Sequence, residues 1–178
     1  DARALALQAD GKLVAAGSTG PTGSMRLALA RYCPDGRLDD GVSCGAGGFG
    51  TGGKVITAAA AGDSRALGVV VQPDGKVVAA GHAKTGANND FVLVRYCPDG
   101  SLDNGINCGA LGFGVGGIVT TAMSVGEDYA FGVALQADAK LVVVGYVTPA
   151  SPDLALARYC PDGRLDDGLN CGSSGFGT

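Results

Sequence analysis

An all-β fold of tandem four-stranded antiparallel units is predicted by three observations. The hexapeptide Arg-Tyr-Cys-Pro-Asp-Gly occurs at 31–36, 95–100 and 158–163, so the chain repeats with a period of about 64 residues. Glycine supplies 32 of the 178 residues, more than twice the usual share of about 7%, and this disfavours long helices. Short runs rich in Val, Leu, Ile and Thr alternate with Gly and Asp, a pattern typical of strands and turns.

Each unit contains four strand-like runs, and the middle unit shows them most clearly. They are Leu67 to Gln72, Lys76 to Gly81, Phe91 to Tyr96 and Ile118 to Thr121. The first two runs are separated by Pro-Asp-Gly at 73–75, in which Pro presets φ, Asp bonds its own backbone and Gly adopts a positive φ. The sequence therefore predicts a hairpin at the start of each unit.

The third unit departs from this turn at one residue. Ala139 stands where the first two units have Gly11 and Gly75. If the turn requires a left-handed residue, we expect Ala139 to cost on the order of 1 kcal/mol.

The repeat predicts units at 1–62, 63–126 and 127–178, the last of which stops before its fourth strand. Four-stranded sheets of this size are the blades of β-propellers, which close with about four to eight blades. We therefore expect about three blades that are open at both ends. Their partners would be further repeats of the same chain or neighbouring copies, because a terminal unit otherwise exposes an apolar face.

Charge and hydrophobicity exclude several partner classes. The 13 Lys and Arg against 17 Asp and Glu give a formal net charge of −4, which argues against a nucleic-acid or anionic-membrane surface. No apolar run approaches the roughly 20 residues of a membrane span, so we predict no membrane insertion. The chain opens on Asp1, which suggests a processed protein or a piece of a longer one.

Four segments of the middle unit resemble the bacterial delta-60 repeat family. They are Gln-Pro-Asp-Gly-Lys-Val-Val-Ala-Ala-Gly (72–81), Phe-Val-Leu-Val-Arg-Tyr (91–96), Pro-Asp-Gly-Ser-Leu-Asp (98–103) and Gly-Phe-Gly-Val-Gly-Gly-Ile-Val (112–119). The resemblance covers essentially the whole chain. It implies β-propeller-like repeats of large secreted or surface proteins and no established general activity.

The cysteines are where the sequence departs from that family. Cys33, Cys97 and Cys160 stand where the family typically has Asn, and a short insertion carries Cys44, Cys108 and Cys171. Pairing within each unit satisfies all six, whereas pairing between units leaves Cys33 and Cys171 alone. We therefore predict three local disulfides, each contributing roughly 2–3 kcal/mol in the chain-entropy model.

Metal ligation is the weaker interpretation of the cysteines, since no Cys-x2–4-Cys knuckle is present and the chain has one His. Disulfides indicate an oxidising compartment, which is the cell surface, the extracellular medium or the periplasm.

Polar groups that recur in every unit are expected to do the same structural work each time. A stripe of Arg and Tyr ends the third strands and could contact a ligand, but its repetition favours packing and bonding between blades. These residues are Arg31, Arg95, Arg158, Tyr32, Tyr96 and Tyr159.

The repeated aspartates favour turns, with calcium as the alternative because oxygen-rich loops bind this ion. The candidate ligands are Asp35, Asp39, Asp99, Asp103, Asp162 and Asp166. Their Asp-Gly-x-Leu-Asp spacing is not that of an EF-hand, so we expect no cofactor.

His82 is the single imidazole of the chain, and we expect it at the surface or partly packed, because no Gly-x-Ser-x-Gly elbow accompanies it. The loops Ser18 to Ser24, Ala83 to Asp90 and Val147 to Asp153 vary between units, which indicates where binding could occur. No non-repeated cluster of His, acids or aromatics is apparent on one rim.

These observations predict a non-enzymatic structural or adhesive module of the extracellular space or cell surface, part of a larger propeller, array or filament. The alternative is a ligand-binding propeller, for carbohydrate or peptide, or a catalytic one, whose site lies partly in blades outside this sequence.

Overall fold

The fold is seen in a computed structural model, which describes residues 1–172 and 175–176. These residues form eleven strands in three antiparallel sheets, and each sheet follows the order of the sequence. Sheet 1 contains β1 (Ala2–Leu7), β2 (Leu13–Thr19), β3 (Arg26–Tyr32) and β4 (Lys54–Thr57). Sheet 2 contains β5 (Ser64–Val71), β6 (Val77–Lys84), β7 (Asn89–Tyr96) and β8 (Ile118–Thr121). Sheet 3 contains β9 (Asp128–Leu135), β10 (Leu141–Val147) and β11 (Asp153–Tyr159).

The predicted all-β class of tandem antiparallel units is confirmed, with one sheet for each sequence repeat. Among the described residues, no helix is long and apolar enough to cross a membrane.

Strand alternation gives sheet 2 two buried faces. Val77, Ala79, Val92 and Val94 enter one core with sheet 1, and Val78, Ala80, Phe91 and Leu93 enter a second core with sheet 3. All eight side chains are fully buried. The first strands β1, β5 and β9 are neighbours in space, with β5 packed between the other two. The sheets are therefore stacked face to face like blades, and sheet 2 is the only one enclosed on both sides within the described residues.

The strands reach further toward one rim than the sequence predicted. β5 begins at Ser64 instead of Leu67, and β6 continues to Lys84 instead of ending at Gly81. The apolar pattern did not predict this extension, because the strand ends contain the polar residues Ser64, Arg65, His82 and Lys84. Their backbones are nevertheless paired. As a result Arg65 lies opposite His82 in the antiparallel register, and both are strand residues.

A bulge in each first strand depends on one repeated glycine. In sheet 2 the register shifts between Ala66 and Gly68. A Cβ atom at Gly81 would lie 1.9 Å from the Arg65 carbonyl oxygen, and Gly17 and Gly145 meet the equivalent carbonyls at the same distance. Glycine is required here because the two backbones approach too closely for any side chain.

The hairpin turn of the third unit holds an alanine in the left-handed region. Ala139 has φ of 63°, whereas Gly11 and Gly75 have φ of 82° at the equivalent positions. The turn is otherwise the same, since the Ala139 N–H donates to the Gln136 carbonyl at 3.0 Å. The turn therefore requires a left-handed residue at this position, as the sequence suggested, and Ala139 adopts it.

We predict that Ala139→Gly raises the free energy of unfolding by about 1 kcal/mol, because glycine adopts this φ without a Cβ clash. The matched reverse change, Gly75→Ala, should lower it by a similar amount. Urea denaturation followed by circular dichroism measures both. An Ala139→Gly protein that is no more stable than the parent would contradict this account of the turn.

Candidate functional site

A buried charge cluster, repeated in every unit, forms the contact between neighbouring blades. In the middle unit Arg95 Nε donates to Asp103 Oδ2 at 2.7 Å, and Lys76 Nζ lies 3.2 Å from the same oxygen. The guanidinium carbon of Arg95 lies 4.6 Å from the centre of the Phe113 ring. We call this set of Arg, Asp, Lys and Phe the interblade cluster. Its equivalents are Arg31, Asp39, Lys12 and Phe49 in the first unit and Arg158, Asp166, Lys140 and Phe176 in the third.

The interblade cluster reaches into the next unit. Arg95 Nη1 donates to the Pro161 carbonyl, and Arg31 Nη1 donates to the Pro98 carbonyl. Beside each contact a backbone N–H crosses the same boundary, from Gly114 to the Asp162 carbonyl at 2.8 Å and from Gly50 to the Asp99 carbonyl at 2.7 Å. The repeated Arg therefore joins two blades.

The repeated tyrosines also bridge blades. The Tyr96 hydroxyl lies 2.7 Å from Thr57 Oγ1 of the preceding unit, and the Tyr159 hydroxyl lies 3.0 Å from Thr121 Oγ1. Both rings are fully buried, and burial raises the pKa of Tyr96. The Arg and Tyr stripe thus serves packing and bonding between blades.

The aspartates singled out for calcium are already engaged by protein groups. Asp39, Asp103 and Asp166 are buried and paired with an Arg and a Lys. Burial raises the pKa of Asp39, but hydrogen bonds from Lys12 and Arg31 outweigh it and keep the pKa below its ordinary value. Asp35, Asp99 and Asp162 each accept the backbone N–H two residues later. These contacts favour ion pairing and turn formation over calcium binding.

Each unit contains one disulfide, which joins the two cysteines of that unit. The pairs are Cys33–Cys44, Cys97–Cys108 and Cys160–Cys171, with Cα atoms 5.6–5.7 Å apart. Each sulfur pair lies near the buried aspartate of its own cluster, but the sulfurs are bonded to each other and the carboxylate to cations. The disulfide closes the connection that presents the Leu111 carbonyl to Arg95 Nη2 at 3.1 Å. Three disulfides indicate a protein located outside the cytoplasm.

A second group of polar residues, which the repeat does not share, lines a cavity of about 310 Å³. The cavity lies where sheet 2 meets β9, beside the turn from β6 to β7. It is lined by Asp63, Arg65, His82, Lys84, Asn89 and Tyr129. The expectation that no such cluster exists on a rim is wrong. These residues are scattered over 67 positions of sequence, and only the extended β5–β6 pairing and the packing of β9 bring them together.

Two acids at this rim have a repeated structural role. Asp63 accepts the N–H of Met25 at 2.7 Å and that of Gly23 at 3.2 Å. Glu127, one repeat later, accepts the backbone N–H of Asn89 at 3.0 Å and its side-chain amide at 2.6 Å. These hydrogen bonds lower the pKa of both carboxyls. Each acid therefore ties its unit to the segment at or just before the start of the third strand of the unit before it.

The remaining cavity residues differ in type from unit to unit. Arg65, His82 and Lys84 correspond to Asp1, Ser18 and Gly20 in the first unit and to Tyr129, Tyr146 and Thr148 in the third. Comparing the units position by position shows this difference, because the flanking Ala66 and Gly81 are Ala and Gly in all three units.

His82 is buried, with 8% of its surface exposed, so it is packed more completely than the expected surface or partly packed position. Its ring packs edge-on against Tyr129, with centroids 4.5 Å apart. Its Nδ1 atom is buried and has no hydrogen-bond partner within residues 1–172 and 175–176. Burial, and next the charge of Arg65, lower the pKa of His82 to about 4. His82 is therefore neutral at ordinary pH.

We predict that Arg95→Lys lowers the free energy of unfolding by about 3 kcal/mol, because an ammonium group cannot bond Asp103, Leu111 and Pro161 at once. The control is Arg37→Lys, since the Arg37–Asp35 pair is largely exposed and its change should stay within about 0.5 kcal/mol. Guanidinium denaturation compares the two. Equal effects would show that the interblade cluster contributes no more than a surface pair.

The single histidine gives a second prediction. NMR titration of its ring should show a pKa of about 4. Because the unfolded value is about 6.5, the unfolded chain takes up the proton first. Stability should therefore be full above about pH 6.5 and fall as the pH drops from there toward 4. His82→Gln should flatten this region of the stability profile. A folded-state pKa near 6.5 would contradict the burial of this ring.

Comparison with known families agrees with this repeated architecture. A family model described as a domain of unknown function (DUF5122), a β-propeller, matches residues 8–41, 72–105 and 136–168, once in each unit. No curated protein matches the chain. The three matches contain the Arg, Asp and Lys of every interblade cluster and together cover more than half of the sequence. The chain therefore belongs to the DUF5122 β-propeller family.

Proposed function

We propose that this protein is a non-enzymatic structural module of the cell surface or extracellular space that associates with further blades through its two open sheet faces. The observation that carries the proposal is the repetition of one interface. The contacts between sheets 1 and 2 recur between sheets 2 and 3, with equivalent residues on each side.

The outer face of sheet 3 presents one half of that interface. Leu154 and Leu156 stand one repeat after Phe91 and Leu93, which are fully buried against sheet 3. Leu154 is 77% exposed and Leu156 is 47% exposed, and Val144 beside them is 40% exposed. A contiguous apolar face of this kind is typical of an interaction surface.

The outer face of sheet 1 presents the other half. Ala15, Ala28, Ala30 and Tyr32 stand one repeat before Ala79, Val92, Val94 and Tyr96, which are fully buried against sheet 1. In sheet 1 all four are only partly buried, and they line a shallow cavity of about 350 Å³. Tyr32 also occupies the position from which Tyr96 bonds Thr57 across a blade boundary.

These two halves match each other and not themselves. Contact between them is therefore head to tail, which gives a ring when the rotation closes and an open array when it does not. A further unit of the same chain and a second copy of this protein would both present the complementary face. The delta-60 resemblance and the three disulfides support a secreted or surface location for such an assembly.

Sedimentation velocity of the 178-residue protein tests the proposal. We expect wild type to form concentration-dependent multimers of the 17.5 kDa chain. Variant A, Leu154→Glu with Leu156→Glu, places two charges on the outer face of sheet 3. Variant B, Ala28→Glu with Ala30→Glu, places two charges on the outer face of sheet 1. Each should be monomeric alone, because burying an unpaired charge is costly.

Mixing the two variants gives the sharper result, because A keeps the sheet 1 face and B keeps the sheet 3 face. The mixture should form a dimer and nothing larger. As a control, Val42→Glu with Ile106→Glu replaces equally apolar but exposed loop residues and should assemble like wild type. Monomeric wild type, or assembly that neither variant reduces, would overturn the head-to-tail proposal.

A further inference from the structure

We propose that the cavity at the junction of sheet 2 and β9 binds a small organic anion through Arg65 and Lys84. This is a function separate from assembly, because Arg65 and Lys84 belong to sheet 2 and lie on neither the outer face of sheet 1 nor that of sheet 3.

The size of the cavity sets the size of the ligand. A volume of about 310 Å³ lies at the lower end of the range for small-molecule sites, roughly 300–1,000 Å³. This space accommodates one sugar ring or a molecule of similar bulk. β5, β6 and the start of β7 form its floor, and Tyr129 on β9 forms one wall.

The charges set the chemistry of the ligand. The acids of this rim, Asp63 and Glu127, already accept N–H groups of the preceding unit. Neither Arg65 nor Lys84 has a hydrogen bond or direct ion pair through its side chain within the part of the chain that the structure describes. Asp63 keeps its negative charge, so the lining carries two positive charges against one negative charge, and its unused hydrogen-bonding groups are the donors of Arg65 and Lys84. This balance favours a carboxylate or phosphate group.

His82 supplies the independent observation. Its side chain lines the cavity, and its Nδ1 atom is buried without a hydrogen-bond partner among the described residues, whereas a buried polar atom usually has one. Neutral imidazole offers one donor and one acceptor, so part of the hydrogen-bonding capacity of this ring is unused beside Arg65. Tyr129 and Tyr146 stack at 5.1 Å and hold the wall beside His82 in place.

The repeat supports a binding role for these side chains. A group that serves the blade architecture recurs at the same position in each unit, as the interblade cluster does. The combination of Arg65, His82 and Lys84 is present in the middle unit only. At the equivalent positions the first unit has Asp1, Ser18 and Gly20, and the third unit has Tyr129, Tyr146 and Thr148. The structure therefore assigns one such site to the described residues.

The test uses His82 as the reporter, since it is the only histidine of the chain. Its ring signals are followed by NMR during titration with glucuronate, glucose 6-phosphate and glucose. The Ala28→Glu, Ala30→Glu background is used, because its changes lie on sheet 1 and keep the protein monomeric, so that failure of the assembly proposal has no influence. Glucuronate differs from glucose only in its carboxylate. We expect saturable shifts with at least one of the two anions, weakened by added salt, and none with glucose.

Matched variants identify the groups responsible. Arg65→Gln and Lys84→Gln should each weaken anion binding about tenfold, whereas Arg37→Gln and Lys54→Gln, at exposed positions away from the cavity, should leave it unchanged. Lys84 is exposed, so its variant keeps the test valid if Arg65→Gln disturbs folding. If neither anion shifts His82 more than glucose does, or if all four variants weaken binding alike, the proposal is wrong.

Discussion

The structure depends on one arginine in each unit, which is buried in the first two units. The Arg95 guanidinium is nearly inaccessible to water, and a buried ion is tolerated only when its charge and its donors are all matched. Each of its three nitrogens has a different acceptor: Asp103, the disulfide-closed connection and the Pro161 carbonyl of the next unit. Since the last acceptor belongs to another blade, the unit is completed only by its neighbour. The burial of Arg95 thus couples the middle blade to the blade that follows it.

This coupling explains why the disulfides lie where they do. The connection after the third strand carries no strand pairing over most of its length, yet it must hold the Leu111 carbonyl and the Phe113 ring against the guanidinium. A loop free to move would leave the ion partly unmatched. The Cys97–Cys108 bond reduces the conformations of that loop in the unfolded chain, so covalent closure compensates for the missing backbone ladder.

The repeat made the sheets, their strand order and the turn at Ala139 predictable, because periodicity reports backbone geometry directly. The role of the Arg and Tyr stripe followed from the same logic. The burial of His82 did not follow, because apolar patterning ends at Gly81 while the backbone pairing continues to Lys84. Nor was the cavity predictable, since Arg65 and Tyr129 are brought to His82 by strand register and by blade packing. The burial of His82 and the cavity both depend on tertiary packing, which the local sequence pattern does not indicate.

The positions of this repeat protein fall into two kinds, according to whether their side chains contact a neighbouring blade. Positions whose contacts cross a blade boundary must satisfy a partner that is itself repeated, so a change at Asp103 or Tyr96 would break a contact on the neighbouring sheet. Other rim positions beyond the core face solvent or a cavity and, unlike Asp63 and Glu127, have no repeated partner to match. They are free to differ, and it is there that Arg65, His82 and Lys84 stand together. Specific recognition in this architecture therefore arises where the repeat is broken, while the repeated residues keep the blades in register beneath it.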